Sequence, residues 1–131
     1  MIQIATTTNQ SERLLACGVD PDSADFAWLY DKPNEPRLTM RAGLLSDRYV
    51  LVNAWSLSAL LAMLPTTLVI GKFTWWLDIA PMDCGKLWSI GYYNADNPLT
   101  IKGLTHRNDL MECAVEEIEW LTTNGYKLNE I

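Results

Sequence analysis

The run Phe73-Thr74-Trp75-Trp76-Leu77-Asp78-Ile79 alternates with a period of two, which only an extended strand turns into two different faces. Phe73, Trp75, Leu77 and Ile79 fall on one face and Thr74, Trp76 and Asp78 on the other. The first face needs a core, and a lone strand cannot make one, so the chain must contain a sheet with something packed on at least one side. Lys86 to Asn94 repeats the pattern, with Trp88, Ile90 and Tyr92 on one side and Leu87, Ser89 and Tyr93 on the other. Ala80-Pro81-Met82-Asp83-Cys84-Gly85 lies between them as a turn, so the two strands are expected to pair antiparallel.

The strongest helix signal is the segment before them. Ser56 stands as N-cap, Trp55 and Leu60 are spaced for a hydrophobic staple, and Pro65 closes the element. Leu57, Leu60, Leu61 and Leu64 then form one apolar stripe. An earlier helix is expected after Asn9 as cap, with Glu12 reaching back to it and Gly18 as the stop. Asp20-Pro21-Asp22-Ser23 predicts a short second helix through Asp25, because a capping carboxylate precedes a proline at the first helical position.

Phe26, Trp28 and Tyr30 mark an early strand, followed by a proline-bounded loop from Asp31 to Pro36. Arg37 to Asn53 reads as a β-hairpin turning at Gly43 to Asp47, its second strand Tyr49-Val50-Leu51-Val52. Leu99 to Lys102 is expected as a brief strand, and a last helix runs from about Asp109 to Thr122 with Gly125 after it. The 131 residues thus predict one α+β domain, mainly an antiparallel sheet packed with three to four helices.

Composition narrows the function classes. Apolar runs such as Leu57 to Leu64 fall far short of the roughly 20 residues that span a bilayer. The first residues lack a basic and apolar leader pattern, and Cys17, Cys84 and Cys113 are odd in number and unpaired in spacing. A cytoplasmic protein without a disulfide framework is expected. Sixteen acidic against ten basic residues give a formal charge of −6, with the basic ones scattered, so direct nucleic-acid binding is disfavoured and no membrane partner is expected.

No nucleotide loop, dinucleotide glycine pattern, nucleophile elbow, zinc-protease or calcium-loop motif is present in the sequence. No catalytic residue, metal ligand or cofactor is assigned. Cys84 is the most promising thiol, in a loop beside Gly85 and Lys86, with His106 as the only imidazole. A cleft of scattered acids drawn from Asp20, Asp22, Asp25, Asp31, Asp78 and Asp83 is the other route to an enzyme.

Two features suggest an interaction surface instead. Trp76 and Tyr93 fall on the strand faces opposite the expected core, and form an exposed patch if helices cover one side of the sheet only. Asp109, Glu112, Glu116 and Glu119 lie along one side of the last helix, with few cations nearby in sequence. A solvated face explains them, and a docking surface for a basic partner is the functional alternative.

The segments Glu12 to Asp25 and Trp55 to Pro65, together with Cys113-Ala114-Val115-Glu116 leading to Trp120-Leu121, resemble small uncharacterised proteins encoded in prophage-like and mobile regions of gut Bacteroides-type genomes. The chain departs from that group at Asn108-Asp109, where an Asn-Pro pair tends to begin the last helix. The resemblance implies no activity and carries over no functional residue. The sequence therefore points to a non-enzymatic accessory or protein-interaction protein of a phage or mobile element, self-association included, with a small enzyme lacking short motifs as the alternative.

Overall fold

In the computed structural model, which describes residues 3–32, 35–44, 49–94 and 96–130, the helices are α1 (Thr8–Ala16), α2 (Leu57–Met63) and α3 (Leu110–Thr123). The strands are β1 (Phe26–Lys32), β2 (Glu35–Met40), β3 (Val50–Ala54), β4 (Thr67–Ile70), β5 (Phe73–Met82), β6 (Leu87–Asn94) and β7 (Asn97–Arg107). They form two antiparallel sheets, ordered β2-β1-β3 and β4-β5-β6-β7, in an α+β fold.

Local chemistry sets the helix ends. The cap of α1 is Thr7 rather than Asn9: its hydroxyl accepts from the Gln10 amide at 3.1 Å, and the Gln10 side chain accepts from the Thr7 amide at 3.0 Å. Asn9 therefore lies inside the helix and Gln10 takes the reciprocal role expected of Glu12. Gly18 stops α1 at a φ of 97°, with the Gly18 amide donating to Leu15 O and the Val19 amide to Leu14 O. Gly125 does the same for α3, at a φ of 80° and with Tyr126 donating to Leu121 O. Asp20 accepts from the Asp22 amide and starts a single 3-10 turn, Pro21–Ser23, where a short helix through Asp25 is expected from sequence. Asp25 instead accepts a hydrogen bond from the Ser56 amide at 2.8 Å, while the Ser56 hydroxyl caps α2 through the Ala59 amide.

The predicted hairpin between β2 and β3 does not form. Both strands pair with β1, one on each edge, so β1 is the centre of the first sheet and forms its hairpin with β2. Ala27 and Leu29 are buried on that central strand, whose residues Phe26 to Leu29 pair on both sides. The predicted turn falls on a 3-10 turn at Arg41–Gly43 and on residues 45–48, which lie outside the described residues, as do Pro33 and Asn34 of the predicted loop.

The second sheet has the antiparallel β5–β6 pair expected, with Trp75 opposite Asn94 and Ile79 opposite Ile90. It also contains β4, a strand not expected from the sequence, and a β7 much longer than Leu99 to Lys102. Gly103 explains the second difference. At a φ of 61° it makes a bulge facing Gly91, and the extra residue breaks the alternation that would reveal one continuous strand.

One face of this sheet, carrying Trp75, Ile90 and Tyr92, packs against helices in a core with Leu14, Trp55, Leu60, Leu64, Ile118 and Leu121. Trp55 and Leu60 are both fully buried, as their staple spacing requires. Phe73 was expected in the core but lies half exposed at the start of β5, beyond the helices.

Candidate functional site

The helices occupy one side of the second sheet, so its outer face is built by the alternate residues of four strands. The register places Trp76 between Thr67 and Tyr93, and Tyr93 beside Ile101. The next row holds Asp78 and Gly91, and the row after it Ala80, Ser89 and His106. Trp76 is 45 % exposed and Val69 73 %, with Met82, Ile101 and Leu104 also exposed. Tyr93 is half-buried. The strand alternation that predicted an outward Trp76 and Tyr93 thus holds, and no described helix covers them.

The face is concave. A groove of about 440 Å³ runs across it, lined by Asp78, Ala80, Met82, Ser89, Tyr93, Ile101, Leu104 and His106 with Gly91 as the floor. A side chain at position 91 would meet Ile101 Cγ2 at 3.1 Å and Leu104 Cδ1 at 3.2 Å, so the absence of one keeps the floor open. Gly91, Met82, Ile101 and Leu104 were not singled out from sequence. Ile101 and Leu104 were obscured by the bulge, and an isolated glycine in a strand is the one signal that could have pointed here.

The groove brings together His106, Asp78 and Ser89, with no hydrogen bond found between any two of them. The Ser89 hydroxyl donates to the Ala80 carbonyl at 3.5 Å. Cys84 is exposed in the turn after β5 at a φ of 56°, does not line the groove, and has no hydrogen bond to His106. Of the other acids considered, Asp20 and Asp25 are held by the backbone contacts above, and the side chain of Asp31 lies outside the described residues.

Three acids of the α3 stripe, Glu112, Glu116 and Glu119, find cations within the chain. Arg13 of α1 donates to Glu112 and to Glu119, reaching Glu119 Oε2 through Nε at 3.3 Å. Gln10 adds a bond to Glu112 at 2.9 Å. Hydrogen bonding to Glu119, then to Glu112, holds the Arg13 guanidinium still further above its usual pKa against the opposing effect of its burial. Glu116 pairs with Arg107 of β7 at 2.9 Å, and Asp109 caps α3 by accepting from the Met111 amide at 3.0 Å. The expectation that few cations balance this stripe is therefore corrected: Arg107 lies nine residues before Glu116, and Arg13 comes from α1 at the other end of the sequence.

One acid lay outside every expectation. Glu117 is fully buried on α3, and neither carboxyl oxygen has a hydrogen-bond partner. Burial pushes its pKa up to about 9, so it is a neutral acid at neutral pH. It lies against Gly103 together with Trp120, whose ring stacks on Tyr92 at 6.4 Å. Burial, and then the charge that Glu117 carries once it ionises at alkaline pH, raises the pKa of the Tyr92 phenol, whose hydroxyl donates to Pro65 O at 2.7 Å. Cys113, also fully buried, donates its thiol to Trp88 O, and burial raises its pKa.

Among the described residues no cluster of three or more His, Cys, Asp or Glu side chains could hold a metal ion, and no helix is long and apolar enough to cross a membrane. No protein-family model matches the chain, and comparison with curated proteins and with solved structures finds no match.

Proposed function

We propose that this chain is a non-enzymatic protein-interaction protein, of the accessory kind carried by phages and mobile elements, and that it binds through the outer face of the β4–β7 sheet. The observation that carries this reading is Trp76, 45 % exposed beside a glycine-floored apolar groove. A large aromatic side chain gains when a partner removes it from water, and exposed apolar surface of this kind is the usual centre of a binding patch. Three free thiols, Cys17, Cys84 and Cys113, fit a reducing cytoplasm.

The test is capture from an extract of the source cells with the wild type, Trp76→Ala and Leu51→Ala, a control on the exposed surface of β3. Trp76→Ala is expected to lose the partners that the other two retain. Identical partner sets for all three proteins would overturn the reading.

The alternative, a small enzyme, is favoured by one feature, the presence of His106 in the groove. A His106→Ala variant that keeps every captured partner and its affinity argues for binding. Loss of a turnover detectable in the wild type argues for chemistry.

A further inference from the structure

Among the described residues of the outer face, Asp78 is the single carboxylate, and it has neither an ion-pair nor a hydrogen-bond partner. The stripe of Asp109, Glu112, Glu116 and Glu119 along α3 differs from it in this respect, since Arg13, Arg107 and a backbone amide occupy those four. Asp78 follows Trp76 by two residues on the same strand face, and its cross-strand neighbour is Gly91. Tyr93 stands across from Trp76 and next to Gly91 along β6. A carboxylate, the Tyr93 ring and the space left by a missing side chain thus line one point of the groove, with Trp76 beside them across from Tyr93 and His106 in the next row on β7.

We infer that this point is a subsite for an arginine side chain, presented by a protein segment with apolar residues on either side of the arginine. The inference rests on the reading of the outer face as a binding surface and names the chemistry of its partner. A guanidinium is planar, so it can lie over Gly91, pair with Asp78 through two N–H groups and present its face to Trp76 or Tyr93. Ile101, Leu104 and Met82 supply the apolar walls for the flanking residues. The formal charge of −6 attracts such a segment from a distance without fixing where it binds.

The experiment is selection of a displayed library of random nine-residue peptides on wild type, Asp78→Lys and Trp76→Ala, read by sequencing. Both positions are exposed, and an unchanged melting midpoint confirms that each variant is folded. Wild type is expected to enrich peptides with one arginine between apolar residues by at least about tenfold, the scale of one charge-assisted hydrogen bond. Asp78→Lys should abolish the preference for arginine, and Trp76→Ala should lower enrichment of the whole class. Apolar peptides selected without arginine, lost on Trp76→Ala and indifferent to Asp78→Lys, would overturn the subsite while leaving the face as the binding surface. No enrichment, or enrichment indifferent to both substitutions, would overturn the subsite and count against the face as well.

Discussion

Arg13 of α1 donates to the carboxylate of Glu112, 99 residues away on α3, and its Nε and second terminal N–H groups reach Glu119. The pairing joins the first and last helices and converts a row of like charges into a structural contact. Arg13→Ala leaves two neighbouring carboxylates without their shared cation. Because the groups are partly exposed, the expected loss is about 1–2 kcal/mol, measured by urea denaturation at low salt. An unchanged midpoint would mean that the pairing contributes nothing to stability.

Glu117 predicts the opposite response to substitution. Between its usual 4.5 and about 9 in the folded chain, the native state keeps a proton that the unfolded state has released. Its contribution is fully present below pH 4.5 and is lost as pH rises through that window. Glu117→Met is of similar length and carries no charge, so it should raise stability at pH 7 by about 2–3 kcal/mol and flatten the decline towards alkaline pH. Denaturation curves at several pH values check both the sign and the slope.

Gly103 is held in place by what lies above it. A Cβ there would come within 2.5 Å of Trp120 and 2.7 Å of Glu117, at a φ of 61° that L-residues adopt with difficulty. Gly103→Ala should therefore cost about 2–4 kcal/mol, combining backbone strain with overpacking. Gly43→Ala has open space and no positive φ, and is expected to be near neutral. Comparing their melting midpoints separates the two cases.

The thiols should differ sharply in reactivity. Cys84 is exposed and Cys113 is fully buried with its thiol bonded to Trp88 O. A thiol-specific chromophore should modify Cys84 in the native protein within the dead time of Cys113, which reacts only on unfolding. Equal rates would contradict the packing of α3 on β6.

Elements whose signals are local were legible in the sequence. Ser56, Gly18 and Gly125 mark helix ends because capping involves residues only a few positions apart. Trp75 and Trp76 were assigned to opposite faces because alternation needs no knowledge of the partner strand. What stayed hidden depends on distant contacts. Nothing near β2 or β3 says that both choose β1, and the bulge at Gly103 conceals the length of β7 and the outward Ile101 and Leu104. The acidic stripe was visible, but Arg13, its partner, is about a hundred residues earlier. Glu117 sits among the same acids in sequence, and only the packing of α3 on the sheet separates a buried carboxyl from its solvated neighbours.

On the function proposed, the outer face of the second sheet is where this protein meets its partner. Site-specific photo-crosslinking in the source cells tests it most directly, with a photoreactive side chain placed at Thr74, beside Trp76 on that face, or at Leu51 on β3. Position 74 is expected to give a discrete adduct that disappears when Trp76→Ala is added, and position 51 none. Adducts from position 51 alone, or adducts from position 74 that Trp76→Ala leaves unchanged, would contradict it.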